Sequence, residues 1–188
     1  MKGILIGIAV TLAVLLAGAF VVVRSGWIPA NADAAPGRIE TWMASTSLDA
    51  TLQRDATGAN PVPLTEANLV EGVHLFGRNC AVCHGSAKGD AAASPIARGL
   101  YQKPPQFASE GVEDDPEAMS FWKIKHGIRL TGMPSFRDTL GDRDIWTIAL
   151  FLKHMDTLPA PARQAWQQVR NWPVVAPSAG QDESPSRR

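Results

Sequence analysis

Cysteine is nearly absent from this 188-residue sequence, which holds only Cys80 and Cys83. Two thiols cannot form the disulfide framework that staples small secreted domains. Net charge is absent as well. Eighteen Lys and Arg balance 18 Asp and Glu, so no global field draws the chain to nucleic acid or to an anionic surface. No internal repeat is present, and no segment shows the alternation of a β-strand. Aliphatic residues are sparse outside one N-terminal stretch, while 16 Gly and 14 Pro punctuate the remainder. These features predict an all-α, loop-rich domain whose core a bound group would help to complete.

The N-terminal stretch lacks charge altogether between Lys2 and Arg24, and its apolar run from Ile4 to Val23 is 20 residues long. At about 1.5 Å per residue, such a helix reaches about 30 Å, the thickness of a bilayer's hydrocarbon core. The run exceeds the roughly 7–15 residues of a signal-peptide core, which favours a retained single-pass anchor interacting with lipid through residues 4–23. A small-x-small site between Ala30 and Ala34 keeps a cleaved signal as the rival reading. Either reading delivers the rest of the chain across a membrane.

Four regions follow from composition: an anchor at 1–24, a linker at 25–63, a compact domain at 64–158, and an extension with a disordered tail at 159–188. Within the linker, a short helix near residues 38–56 would place Ile39, Trp42, Met43 and Thr46 on one face. The compact domain is expected to hold four helices. The first starts after the N-cap Thr65 and runs to Asn79, with Leu69, Val73 and Phe76 at helical spacing around Gly72. "SPIARGLY" gives one turn, following a Gly/Ala/Ser-rich turn. A third helix is capped by Asp115, takes Pro116 in its first turn and stops at Gly127. The fourth runs from Asp142 to about Met155, on the spacing of Ile145, Ile148, Ala149 and Leu152. One more short helix is placed near 163–170, and "APSAGQDESPSRR" has the composition of disorder.

The two cysteines stand in "CAVCH", with His84 directly after Cys83. A zinc site needs four ligands, and the sequence offers no second cysteine pair or His-x-His to complete one. A redox C-x-x-C normally belongs to a βαβ setting, which this helical sequence does not provide. C-x-x-C-H is also the attachment signature of haem c, in which two thiols bond one haem and the histidine lies beneath its iron. That reading agrees with an exported chain, because covalent attachment follows export. It also finds a second axial ligand in "TGMPSF": Met133 lies 49 residues after His84, between Gly132 and Pro134, on a loop unsuited to ordinary core packing. Met119, Met155 and His126 are the rivals, while His74 and His154 read as ordinary helix residues.

"GVHLFGRNCAVCHG", "HGIRLTGMPSF" and "IWTIALFL" together resemble class I cytochrome c, in that family's order and over about half the chain. The resemblance implies one covalent haem c held through Cys80 and Cys83, with His84 and Met133 as axial ligands. It implies a crossing of the first and last helices at Gly72 and Phe76 against Phe151. It also implies a proline carbonyl bonded to the haem histidine, for which Pro95 is the candidate. Candidates for the apolar pocket are Leu100, Tyr101, Phe121, Trp122, Ile128, Phe136 and Trp146. Trp122 and Trp146 read as core residues, with a propionate bond as the alternative.

The expected function is one-electron transfer in a membrane-associated chain, not enzyme catalysis, with redox proteins as donor and acceptor and no nucleic acid or small-molecule substrate. The expected location is a bacterial inner membrane, with the haem domain in the periplasm. A fixed subunit of a larger respiratory or dehydrogenase complex is the alternative, and a haem peroxidase or gas sensor a third. Lys123, Lys125 and Arg129 on one side, and Glu110, Glu113, Asp114, Asp115 and Glu117 on the other, are the charge groups available to steer a partner.

Overall fold

The computed structural model describes residues 2–88 and 94–170. Part of the Gly/Ala/Ser-rich turn, and the tail from Ala176, lie outside the described residues. Among the described residues every regular element is a helix. Two compact units are present, one ending at Pro36 and one beginning at Gly37.

The first unit holds α1, Lys2–Arg24. It buries no residue and is long and apolar enough to cross a membrane, which suggests a single-pass anchor.

The second unit opens with α2 (Arg38–Asp55), so the helix expected within a linker belongs to the compact body. Its contact runs through Leu52, which is buried, and Leu48, which is half-buried. Beyond it, Asn60 donates to the Trp146 carbonyl at 3.1 Å and accepts from the Val62 amide at 2.9 Å, fastening the approach to the core.

α3 (Glu66–Asn79) starts as its sequence dictates, with the Thr65 hydroxyl accepting from the Asn68 amide at 3.2 Å. Leu69, Val73 and Phe76 turn to one side and are buried. α8 (Asp142–Lys153) supplies the opposing face through Ile145, Ile148 and Phe151, none of which has any exposure. Gly72 lies at their crossing: a Cβ there would stand 2.6 Å from the Thr147 carbonyl oxygen and 2.7 Å from the Phe151 Cβ. The missing side chain lets the helix axes approach, and Phe76 meets Phe151 edge-on at 5.5 Å.

α7 (Glu117–His126) also packs on α8, where Phe121 and Trp146 stack at 4.1 Å. Its cap differs from the expected one. Pro116 occupies the N-cap, and Asp115 instead takes an ion pair from Lys123 at 2.5 Å. α9 (Ala160–Gln168) follows "LPAP", and its Ala162 and Trp166 are buried against α3. The Trp166 ring contacts Phe76 at 5.5 Å and Phe151 at 5.3 Å. Residues 159–170, set apart above as an extension, therefore complete the core. Three short helices, α4 (Ala81–His84), α5 (Pro95–Gly99) and α6 (Phe107–Glu110), line the route between α3 and α7.

Candidate functional site

The C-A-V-C-H segment folds as a single helical turn. The amides of Cys83 and His84 both donate to the Cys80 carbonyl, at 3.0 and 2.9 Å. This turn sets Cys80, Cys83 and His84 at positions i, i+3 and i+4, on one side of the backbone. Gly85 ends it with φ +82°, a left-handed value that favours glycine. A Cβ at Gly85 would also lie 2.6 Å from the Gln106 Oε1.

The turn forms one wall of a cavity of about 580 Å³, within the range of small-molecule and cofactor sites. Met133 lines the same cavity from the opposite stretch of chain, together with Leu100, Ile128, Phe136, Ile148 and Leu152. The Met133 loop is pinned to the end of α7. The Met133 carbonyl accepts from the Ile128 amide at 3.2 Å, its amide donates to the Thr131 hydroxyl at 3.1 Å, and the Ser135 hydroxyl donates to the Lys125 carbonyl at 2.7 Å. Gly127, at φ +68°, makes that close return possible, since a Cβ there would lie 2.7 Å from the Pro134 carbonyl carbon.

His84 is held by a proline carbonyl, but not by the one expected. Its Nδ1 lies 3.0 Å from the Pro105 carbonyl oxygen. Pro95 instead opens α5 behind the N-cap Ser94 and is absent from the cavity lining. The correction has a physical origin: proline φ is pre-set for the first turn of a helix, which is the use Pro95 finds. With Nδ1–H donating to Pro105, the His84 Nε2 keeps its lone pair.

Two further residues complete this side of the site. Gln106, almost fully buried, donates through Nε2 to the carbonyls of Cys83 and Pro104, both at 2.9 Å. It thereby ties the cysteine turn to the loop that carries Pro105. The Phe107 ring lies parallel to the His84 imidazole, 4.4 Å away. Neither residue stands out in sequence, and the only signal available was "PPQF" itself.

Other expected pocket residues are used elsewhere. Phe121 and Trp146 stack on each other, Trp122 packs on His126 at 4.8 Å, and the Tyr101 hydroxyl donates to the Glu40 carboxylate at 2.7 and 2.8 Å. The charge groups are largely spent within the fold. Lys123 pairs with Asp115, Lys125 pairs with Asp142 at 2.8 Å, Glu110 accepts from the Gln106 amide and Glu113 from the Val112 amide.

Burial sets the ionisation of the site. It pushes the Cys80 thiol up to about 12, with Cys83 adding to the effect, and it raises Cys83 as well. A redox C-x-x-C activates its thiol in the opposite direction. Burial lowers the pKa of His84, and the Pro105 bond partly opposes that, so the neutral imidazole is favoured. Among the described residues, no group of three or more His, Cys, Asp or Glu side chains converges on a point where a bare metal ion would sit. The donor set is instead two thiols, an imidazole and a thioether around an apolar space, which fits a large flat group bonded along one edge and ligated from two sides.

Residues 67–152 match the family model described as cytochrome c oxidase, cbb3-type, subunit III. No curated protein and no solved structure matches the chain at a significant level. A cytochrome c domain implies haem c binding and electron transfer, and the cavity has the chemistry for that group. Over residues 67–152 the helical unit around Cys80, Cys83 and His84 thus matches a cytochrome c family, consistent with a class I cytochrome c.

Proposed function

We propose that this chain is a membrane-tethered one-electron carrier with a single haem c. In this reading Cys80 and Cys83 form the two thioethers, and His84 and Met133 are the axial ligands. The observation that supports it is the convergence of these four residues on one apolar cavity, from a helical turn and a loop far apart in sequence. A haem bound by these residues would supply the one-electron redox chemistry.

The protein residues set the terms of that exchange. The Met133 thioether favours the reduced iron and raises the potential. Leu100, Ile128, Ile148 and Leu152 exclude water from the wall, which penalises the extra charge of the oxidised site. The Pro105 carbonyl, on the loop that Gln106 ties to the cysteine turn through Pro104 and Cys83, accepts a hydrogen bond from the His84 Nδ1–H, which fixes the ring and raises ligand basicity, pulling the potential the other way. With both His84 and Met133 holding the group, no open position would remain for substrate or oxygen. The chain then acts by contact with donor and acceptor proteins, anchored by α1 in a bacterial inner membrane with the haem unit in the periplasm.

A second reading is a fixed subunit of a larger oxidase, favoured by the description of the matching family as an oxidase subunit. Mild detergent extraction separates the two, since a stoichiometric partner that survives purification supports the subunit reading.

The primary test is an absorption spectrum of the protein produced with a haem-attachment system, oxidised and then reduced. A sharp reduced α-band that persists after denaturation and solvent extraction is expected, with the far-red charge-transfer band of methionine–ferric ligation. Met133→Ala should abolish the far-red band and lower the potential. Haem attachment with that band unchanged in Met133→Ala refutes the methionine ligand. Absence of attached haem refutes the whole reading.

A further inference from the structure

α2 has two apolar faces on opposite sides. At about 100° per residue, Leu48 and Leu52 lie roughly opposite Ile39 and Met43. The inner face is used: Leu52 is buried in the body of the unit and Leu48 reaches the cavity wall. The outer face is bare. Ile39, Trp42 and Met43, spaced i, i+3, i+4 in the first half of the helix, are 74%, 65% and 58% exposed. Glu40, the one acid in that first turn, is held by the Tyr101 hydroxyl. Its charge is thereby occupied within the unit.

We propose that Ile39, Trp42 and Met43 rest in the interfacial layer of the bilayer that α1 crosses. The inference depends on reading α1 as a membrane span, and it does not depend on the haem. Two observations favour lipid over a protein partner. Residues 25–37 separate the two helices, and a fully extended chain of that length reaches about 45 Å, so α2 is confined near the membrane. The tether makes the contact intramolecular, so a small apolar patch suffices where a free one would not. Tryptophan with aliphatic neighbours is the composition that settles at the headgroup boundary.

The functional consequence comes from Leu48, which lines the cavity from the opposite face of the same helix, so that the lipid contact and one cavity wall share α2.

The test uses the full chain reconstituted in phosphatidylcholine vesicles doped with a lipid bearing a photoactivatable diazirine just below the headgroup. Adducts are mapped by peptide mass spectrometry. Adducts are expected on α1 and on the peptide containing residues 39–43. In the variant Ile39→Ser/Trp42→Ser/Met43→Ser the second set should fall to background while α1 labelling and helical circular dichroism persist. Adducts confined to α1 overturn the proposal, as does protection of the 39–43 peptide by a co-purifying protein or a second copy without lipid labelling. Absence of adducts on α1 overturns the membrane-span reading itself, which leaves the haem reading intact.

Discussion

Replacing Gly72 with alanine tests the crossing on which the fold depends. The new Cβ would stand 2.6 Å from the Thr147 carbonyl oxygen and 2.7 Å from the Phe151 Cβ. Neither obstacle can swing aside, since one is backbone and the other is a Cβ fixed by its own helix. Relief requires α3 and α8 to separate by somewhat under 1 Å. A gap of that size forfeits about a quarter to a half of the attraction at each contact it opens. Those contacts join Val73 and Phe76 to Ile148 and Phe151, all fully buried. Overpacking of this kind costs about 3 kcal/mol, at the upper end of the usual range. Alanine returns about 1 kcal/mol through its better helix propensity, leaving about 2 kcal/mol net. For a unit of this size the melting temperature should fall by about 6–10 °C. Thermal unfolding followed by circular dichroism reads this directly. Gly99→Ala serves as the control, since nothing lies within 4 Å of its Cβ position, and it should melt like the parent. A Gly72→Ala protein that melts at or above the parent temperature would falsify the close crossing.

Other substitutions probe the site and its surroundings. Gln106→Leu leaves the Cys83 and Pro104 carbonyls without their 2.9 Å donor, which should cost about 1–3 kcal/mol. With His84 less firmly held to Pro105, the haem potential should rise, and a redox titration that matches the parent refutes the clamp. His126 is expected to titrate below the ordinary histidine value. The cause is first burial, then the Arg137 and Lys125 charges, with Asp55 opposing them weakly. Because its folded pKa lies below the unfolded one, the unfolded chain takes up the proton first, and stability falls as pH drops below about 6.5. Proton NMR should show the His126 pKa moving upward in Arg137→Ala, which removes the 2.9 Å contact to Nδ1; an unchanged titration refutes that account.

The parts of the fold legible in sequence were those with strong local signals. α3 and α8 carry helical spacing over several turns, and Thr65 announces its cap. The cysteine turn is visible because two cysteines and a histidine fall within five residues. What escaped depends on distance in space. Pro95 and Pro105 look alike in a string of residues, and no periodicity states which loop returns to His84. Gln106 and Phe107 matter only because that return brings them beside the cysteine turn. Phe121 and Trp146 have the composition of a cofactor pocket, yet their mutual stacking satisfies them in the core. Asp115 has the chemistry of an N-cap, but Lys123 on the next turns offers it a partner, and Pro116 takes the cap with its fixed φ. The role of α9 was hidden because Trp166 is isolated in a polar stretch, and only the α3–α8 crossing gives it a place to pack.

That late tryptophan bears on the order in which the molecule is completed. A chain emerges N-terminus first, so Cys80 and Cys83 appear well before Trp166 can reach Phe76 and Phe151. Closing the core joins segments separated by most of the unit, a long-range step that is intrinsically slow. Until it happens, the helix that leads into the cysteine turn lacks its final cover. The position of one aromatic ring near the end of the described residues thus makes completion of the core wait for chain that lies beyond α8.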